Sequence, residues 1–252
     1  MLSIRFAAVC ARTALLLMLA ATCRASAPPA SAGMVRVPGG EYHPFYKGRR
    51  GAAPIRVAPF LLDREPVRAA DYARFVARLS RWRRSRLEPL FAESGYLKDW
   101  SDDLHPKAGP AAPVTNVSWF AARAYCACQG KRLPSQLEWE WAAEPPPGPR
   151  ARGAARTQRT SDASATVRFA MGSGRRAGLV FGEAWEWTED FNTLLIANAE
   201  PDDSPTSLFC GDGFRATDAR DYAGFLRFSF RSSLKANYTL PNLGFRCAGD
   251  VR

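Results

Sequence analysis

Pro113-Val-Thr-Asn-Val-Ser-Trp-Phe120 runs on through Ala124-Tyr-Cys126 to Lys131-Arg-Leu-Pro134 and Ser135-Gln-Leu-Glu-Trp-Glu140. Ser118 stands at an N-cap position for a helix from Trp119 to about Gln129, and Gly130 supplies its stop. Ser135-Gln-Leu-Glu138 is a capping box, in which the serine and glutamate side chains each satisfy the other's orphan N–H. It opens a second helix that reaches about Glu144, where Pro145-Pro-Pro-Gly-Pro149 ends it. Trp119, Trp139 and Trp141 in this stretch, with Trp185 and Trp187 further on, read as core aromatics.

Outward from this centre the pattern is mixed. Met34-Val-Arg-Val-Pro-Gly-Gly40 alternates and then turns, as an opening strand does. Ile55 to Leu62 is a second strand-like run, which Pro59 marks as edge or bulged. Tyr72, Phe75, Val76 and Leu79 fall at i, i+3, i+4 and i+7 and predict a helix from Ala69 to Arg84. Glu88 to Pro113 reads as a loop-rich excursion. Residues from about 145 to 165 are rich in Pro, Gly, Ala and Arg and predict a mobile loop within the domain. Short strand-like runs broken by Gly, Asn, Asp and Pro follow, with no internal repeat.

The chain has 252 residues and a formal charge of +11, enough for one domain with a substantial core. Arg5 and Arg12, the apolar run Ala14–Ala21 and the small residues Ala30-Ser31-Ala32 read as a secretory signal over residues 1–32. The alternatives are a lipoprotein acylated at Cys23, behind a poor lipobox, and an uncleaved anchor, for which the apolar core is short. Cleavage removes three arginines and no acid, so the charge falls to +8. The mature domain is then 33–252, periplasmic or secreted, with no membrane span. Its arginine clusters, Arg78 to Arg86 and Arg150 to Arg159, read as solvated surface rather than a nucleic-acid interface, because an exported protein rarely meets nucleic acid. Four cysteines survive cleavage: Cys126, Cys128, Cys210 and Cys247. An even number in an oxidising compartment suggests disulfides, with three pairings open.

With Ala184-Trp-Glu-Trp-Thr188 and Asn242-Leu-Gly-Phe-Arg-Cys247, the central stretch resembles the formylglycine-generating enzyme (sulfatase-modifying factor) family, over about Met34 to Asp250. The resemblance implies an α+β fold with little regular secondary structure, the family's irregular variant of the C-type lectin fold. It also implies a disulfide between Cys126 and Cys247. The family's second bridge maps near Ala143 and Phe228, and both of its cysteines are missing here. Cys128 and Cys210 then remain, and a pairing between them is open. On a helix Cys126 and Cys128 point about 200° apart, toward different partners.

The family's oxidase uses a C-x-x-x-x-C pair that binds copper(I) through thiolates, soft ligands for a soft ion. Counting back from Asn242-Leu-Gly-Phe-Arg-Cys247 places Asp218 and Ala223 there, and no such pair exists between Pro205 and Arg231. A related branch with non-haem iron needs a histidine set that His43 and His105 cannot supply. The family's calcium loop maps to Gly182, Ala184 and Glu186, so calcium is the ion this loop would take. Against that, an upstream side-chain ligand falls at Leu179, the loop asparagine is Glu183, and the family's second calcium stretch has no counterpart from Val167 to Val180. Glu186 has the alternative role of a buried carboxylate held by backbone N–H groups or an arginine. Arg231, Ser232, Ser233 and Asn237 fall where the family lines its peptide groove. Either they form a recognition surface or Arg231 is a buried bridge between loops.

The expected function is therefore an exported binding or accessory module without copper oxidase activity, needing no cofactor. Its partner would be a protein or peptide; some family members accompany periplasmic copper enzymes, so a periplasmic metalloenzyme fits. The alternative is a formylglycine-type oxidase, using copper, rebuilt around Cys210 with Cys128 as its partner.

Overall fold

The computed structural model describes residues 33–47, 53–144, 176–193, 195–197 and 219–251. The expected signal segment, the loop at about 145–165, Asp218 and Cys210 lie outside the described residues. The first strands are β1 (Met34–Val37), β2 (Gly40–Tyr42), β3 (Tyr46–Lys47), β4 (Ile55–Val57) and β5 (Phe60–Asp63). At Ala58-Pro59 the chain leaves one sheet for another. The run expected as one bulged strand is two strands: β4 pairs antiparallel with β2, while β5 pairs antiparallel with β1. Proline cannot donate to a ladder, so the break falls at it. β9 (Ala248–Asp250) completes a three-stranded sheet in the order β1-β5-β9.

Helix α1 (Ala69–Arg78) is shorter than expected and passes into a 3-10 turn at Ser80–Trp82. Arg83 explains the early stop: its guanidinium donates to the carbonyls of Val76 at 3.2 Å and Ala77 at 3.1 Å, satisfying acceptors of the last turn. Arg84 likewise donates to Leu97 and Trp100 carbonyls, so part of this arginine cluster points inward. At the other end the loop excursion serves as the cap, since Ala69 N–H donates to Ala112 O and Ala70 N–H to Pro110 O.

Helix α2 (Trp119–Cys128) starts at Ser118, whose Oγ accepts from Ala121 N–H at 3.2 Å. It ends before Gly130, which sits at φ +69°, where a side chain would be strained. Helix α3 (Gln136–Ala143) carries the full capping box: Glu138 N–H donates to Ser135 Oγ at 3.1 Å, and Ser135 N–H to Glu138 Oε2 at 2.8 Å. Then come β6 (Trp185–Glu186), β7 (Ile196–Ala197), α4 (Ala219–Ser232) and β8 (Leu243–Gly244), with β6 parallel to β8 and β3 parallel to β7. The strands are two to four residues long. Loop hydrogen bonds and side chains therefore carry what a larger sheet would otherwise hold.

The three sequence blocks meet in space. Trp187 Nε1 donates to Val117 O at 2.9 Å, Trp119 Nε1 to Thr188 O at 3.0 Å, and Trp185 N–H to Asn242 O at 2.8 Å. A Cβ added at Gly244 would lie 2.5 Å from Val114 O, so only glycine lets these backbones approach. One core gathers α1, α2 and the Trp185–Trp187 and Leu243–Cys247 segments. A second packs β1, β2, β4 and β5 against Trp141 and Leu179. Cys126 and Cys247 are disulfide-bonded, with Cα atoms 5.6 Å apart, tying α2 to the C-terminal segment. No helix among the described residues is long and apolar enough to cross a membrane.

Candidate functional site

Helices α3 and α4 and the β6–β8 pair converge on Trp139, which is fully buried. Both flanks of its indole carry a buried carboxylate. On one side, Glu140 accepts from Arg227 Nε at 2.7 and 2.9 Å and from Arg231 Nη1 at 2.6 Å. The Arg231 guanidinium lies 4.5 Å and that of Arg227 5.8 Å from the Trp139 ring centroid. On the other side, Trp139 Nε1 donates to Glu186 Oε2 at 2.9 Å, and Arg246 grips the same carboxylate at 2.6 and 2.7 Å. Arg246 also donates to the carbonyls of Asp63, Arg64 and Val180, and stacks over Phe181 at 4.2 Å.

These charges are paired as burial demands. Burial pushes the Glu140 carboxyl up, but Arg227 and Arg231 outweigh it and hold it below its ordinary value. Burial first, and then the Glu140 charge, push the Tyr42 phenol well up, so it keeps its proton; its hydroxyl lies 3.5 Å from Glu140 Oε2. A carboxylate held ionised between two arginines is a poor proton acceptor, so the cluster works as a clamp rather than as acid–base machinery.

The clamp has a pH signature. Glu140 is depressed in the folded chain, so its contribution is present above the unfolded value of 4.5 and is lost as pH falls through the folded one. Glu140→Gln lacks this part. Urea midpoints at a series of pH values should show the wild-type advantage over Glu140→Gln shrinking as the pH falls below about 4.5. The comparison isolates Glu140 from Asp63, which burial raises and which therefore slopes the other way.

The sequence-derived residues fall as follows. Arg231 is 2% exposed and bridges to Glu140, so the expectation that it lines an open groove is corrected: desolvation beside Trp139 requires its carboxylate partner, and the guanidinium faces inward. Ser232 and Ser233 are exposed, but their hydroxyls donate back to Ser229 O and Phe230 O of the same helix end. Asn237 is half-buried, and its carbonyl accepts from Glu93 N–H. The four do not share one surface.

At Gly182, Ala184 and Glu186, both carboxylate oxygens of Glu186 are taken by Arg246 and Trp139. A guanidinium already fills the cation's role, and the set does not fit calcium. Ala223, one of the two places where a copper thiolate would stand, is a buried alanine of α4 in the hydrophobic core. Cys128 is disulfide-bonded, which leaves it no thiolate for a rebuilt oxidase site. Sequence reasoning missed Glu140, Arg227 and Arg246 as a charged set. The available signal was Arg227 and Arg231 at i, i+4 in an otherwise aromatic helix segment, which puts both on one face.

Comparison with known proteins agrees with this architecture. The family model for the sulfatase-modifying factor enzyme 1-like domain matches residues 20–174. A formylglycine-generating enzyme from Streptomyces coelicolor is 28% identical over 90% of this chain and 92% of its own length. The inactive C-alpha-formylglycine-generating enzyme 2 of Bos taurus is 36% identical over 44% of this chain. That alignment spans about half, 48%, of the bovine protein. The Bos taurus formylglycine-generating enzyme is 28% identical over 56% of the chain and 45% of its own length. The chain belongs to the sulfatase-modifying factor family, whose relatives include formylglycine-generating enzymes and a protein named as their inactive form.

Proposed function

We propose that this chain is a non-oxidase member of its family, an exported module that binds a protein or peptide partner rather than converting one. The observation that carries this reading is the missing thiolate pair, since copper(I) chemistry of the family type needs two soft sulfur ligands side by side. Ala223 stands buried at one of those places, and Cys128 is already in a disulfide. The name of the bovine inactive relative supports the reading. So does the clamp, which commits both carboxylates beside Trp139 to arginines. An accessory role beside a periplasmic metalloenzyme suits a signal-bearing chain with paired cysteines. The alternative, an oxidase rebuilt on Cys210 and Cys128, would need Cys128 as a free thiol rather than in its disulfide.

Thiol titration separates the two. The mature protein, unfolded without reductant, should show fewer than two reactive thiols. Two titratable thiols that bind copper(I) together in the native protein would favour the oxidase and reject the module.

A further inference from the structure

The chain from Arg81 to Phe91 borders a groove of about 350 Å³, lined by Arg81, Trp82, Arg86, Leu87, Glu88 and Phe91. Its apolar wall is fixed in advance. Trp82 is buried, stacks on Phe75 of α1 at 6.3 Å and meets Phe91 edge-on at 6.0 Å. Phe91 in turn packs edge-on against Phe120 of α2 at 5.6 Å. A wall held by the core needs little ordering when something binds. Trp82 Nε1 is buried without an acceptor among the described residues, so the chain's own groups do not complete this corner of the core. Next to Phe91 in the chain, Leu90 is 71% exposed, the most exposed large hydrophobic among the described residues.

The charge beside this wall is one-sided. The arginine cluster expected to be solvated splits in two. Arg83 and Arg84 turn inward to backbone carbonyls. Arg81 and Arg86 stay exposed, and among the described residues neither makes an ion pair or a side-chain hydrogen bond. The Arg81 guanidinium lies 5.6 Å from the Trp82 ring centroid, which holds it at the apolar wall. Glu88 is the one acid in the lining, and Asp103 is taken by Ser85. An apolar groove with unpaired guanidinium groups selects an apolar side chain that has carboxylates for neighbours. A peptide segment supplies both. Anionic lipid fits less well, because a polybasic lipid site takes about four to eight clustered cations.

We propose that this groove docks a short acidic segment of a partner protein, with one apolar side chain against Trp82, Leu87 and Phe91 and flanking aspartates or glutamates on Arg81 and Arg86. The inference rests on the reading of the chain as a binding module, and it names the surface and the partner's chemistry. Fluorescence anisotropy with the mature protein tests it. The probe is a labelled peptide with a Leu-Phe pair between Asp and Glu residues. One control peptide has Ser-Ser in place of Leu-Phe, and another has Lys in place of every acid.

The expected result is saturable binding of the acidic Leu-Phe peptide, about tenfold or more tighter than that of either control. Arg81→Glu/Arg86→Glu should weaken it by a similar factor. Both side chains are exposed and unpaired, so that variant should keep the wild-type melting temperature. Arg36→Glu/Arg56→Glu makes the same charge change on exposed residues of β1 and β4 and should leave binding unchanged. No saturable binding of the acidic Leu-Phe peptide up to about 1 mM would overturn the proposal. Equal binding of the Ser-Ser peptide would do so too, as would an equal loss in the two double variants, which would mean that net charge alone attracts the probe. Capture by phosphatidylglycerol vesicles without binding of the peptide would assign the surface to lipid and reject a peptide partner. None of these outcomes bears on the thiol count, which decides the module reading separately.

Discussion

Glu140→Ala should destabilise the fold by about 3–5 kcal/mol, the range for removing one partner of a buried ion pair. The substitution strands two guanidinium groups, Arg227 at 6% and Arg231 at 2% exposure, against the face of Trp139. Against a total stability of about 5–15 kcal/mol, that is enough to unfold much of the protein at moderate temperature. Denaturant midpoints of the wild type and the variant give the value directly. Replacing all three members by apolar residues of similar volume should cost far less, because no charge is then left buried. A loss below about 1 kcal/mol for Glu140→Ala would show that water reaches the arginines and that the clamp is not closed.

Reduction of the Cys126–Cys247 disulfide is the second large effect. The bridge spans 121 residues, and the chain-entropy model assigns a loop of that length roughly 4–5 kcal/mol. A Cys126→Ala/Cys247→Ala double variant should melt well below the wild type, by about 8–15 °C for a domain of this size. An unchanged melting temperature would mean that backbone pairing, such as Arg132 with Ala248, already fixes this segment without the sulfur link.

The two effects are related. The family's second disulfide maps near Ala143 and Phe228, which lie on α3 and α4 and are both buried. Glu140 with Arg227 and Arg231 joins these same two helices. The ion pairs thus hold together the two helices that the resemblance would join by a second bridge, through charge in a dry environment rather than sulfur.

Much of the fold was legible because local rules act alone at their positions. Ser118 and the Ser135–Glu138 box mark helix starts through hydrogen bonds made within three residues. Gly130 marks a stop through its own φ. The family blocks carried the Cys126–Cys247 pairing, which no local rule could choose.

What was not legible depends on where the chain folds back, from seven positions away at Arg83 to far greater separations elsewhere. The early end of α1 depends on where Arg83 folds back, and the sheet switch at Pro59 on which partner strands are near. Whether Arg231 faced out or in was undecidable from its own neighbourhood, because the deciding residue, Glu140, lies 91 positions away. Glu186 likewise meets Arg246 across 60 positions.

If, as proposed, this family member lacks the oxidase chemistry of the formylglycine-generating enzymes, a sulfatase-type peptide should pass it unchanged. Mass spectrometry of a sulfatase-type peptide tests it most directly, after incubation with the purified mature protein, copper(I) and oxygen under reducing conditions. The peptide's cysteine should remain unmodified at every time point. Loss of sulfur at that cysteine, dependent on this protein and abolished by Cys210→Ser, would contradict it.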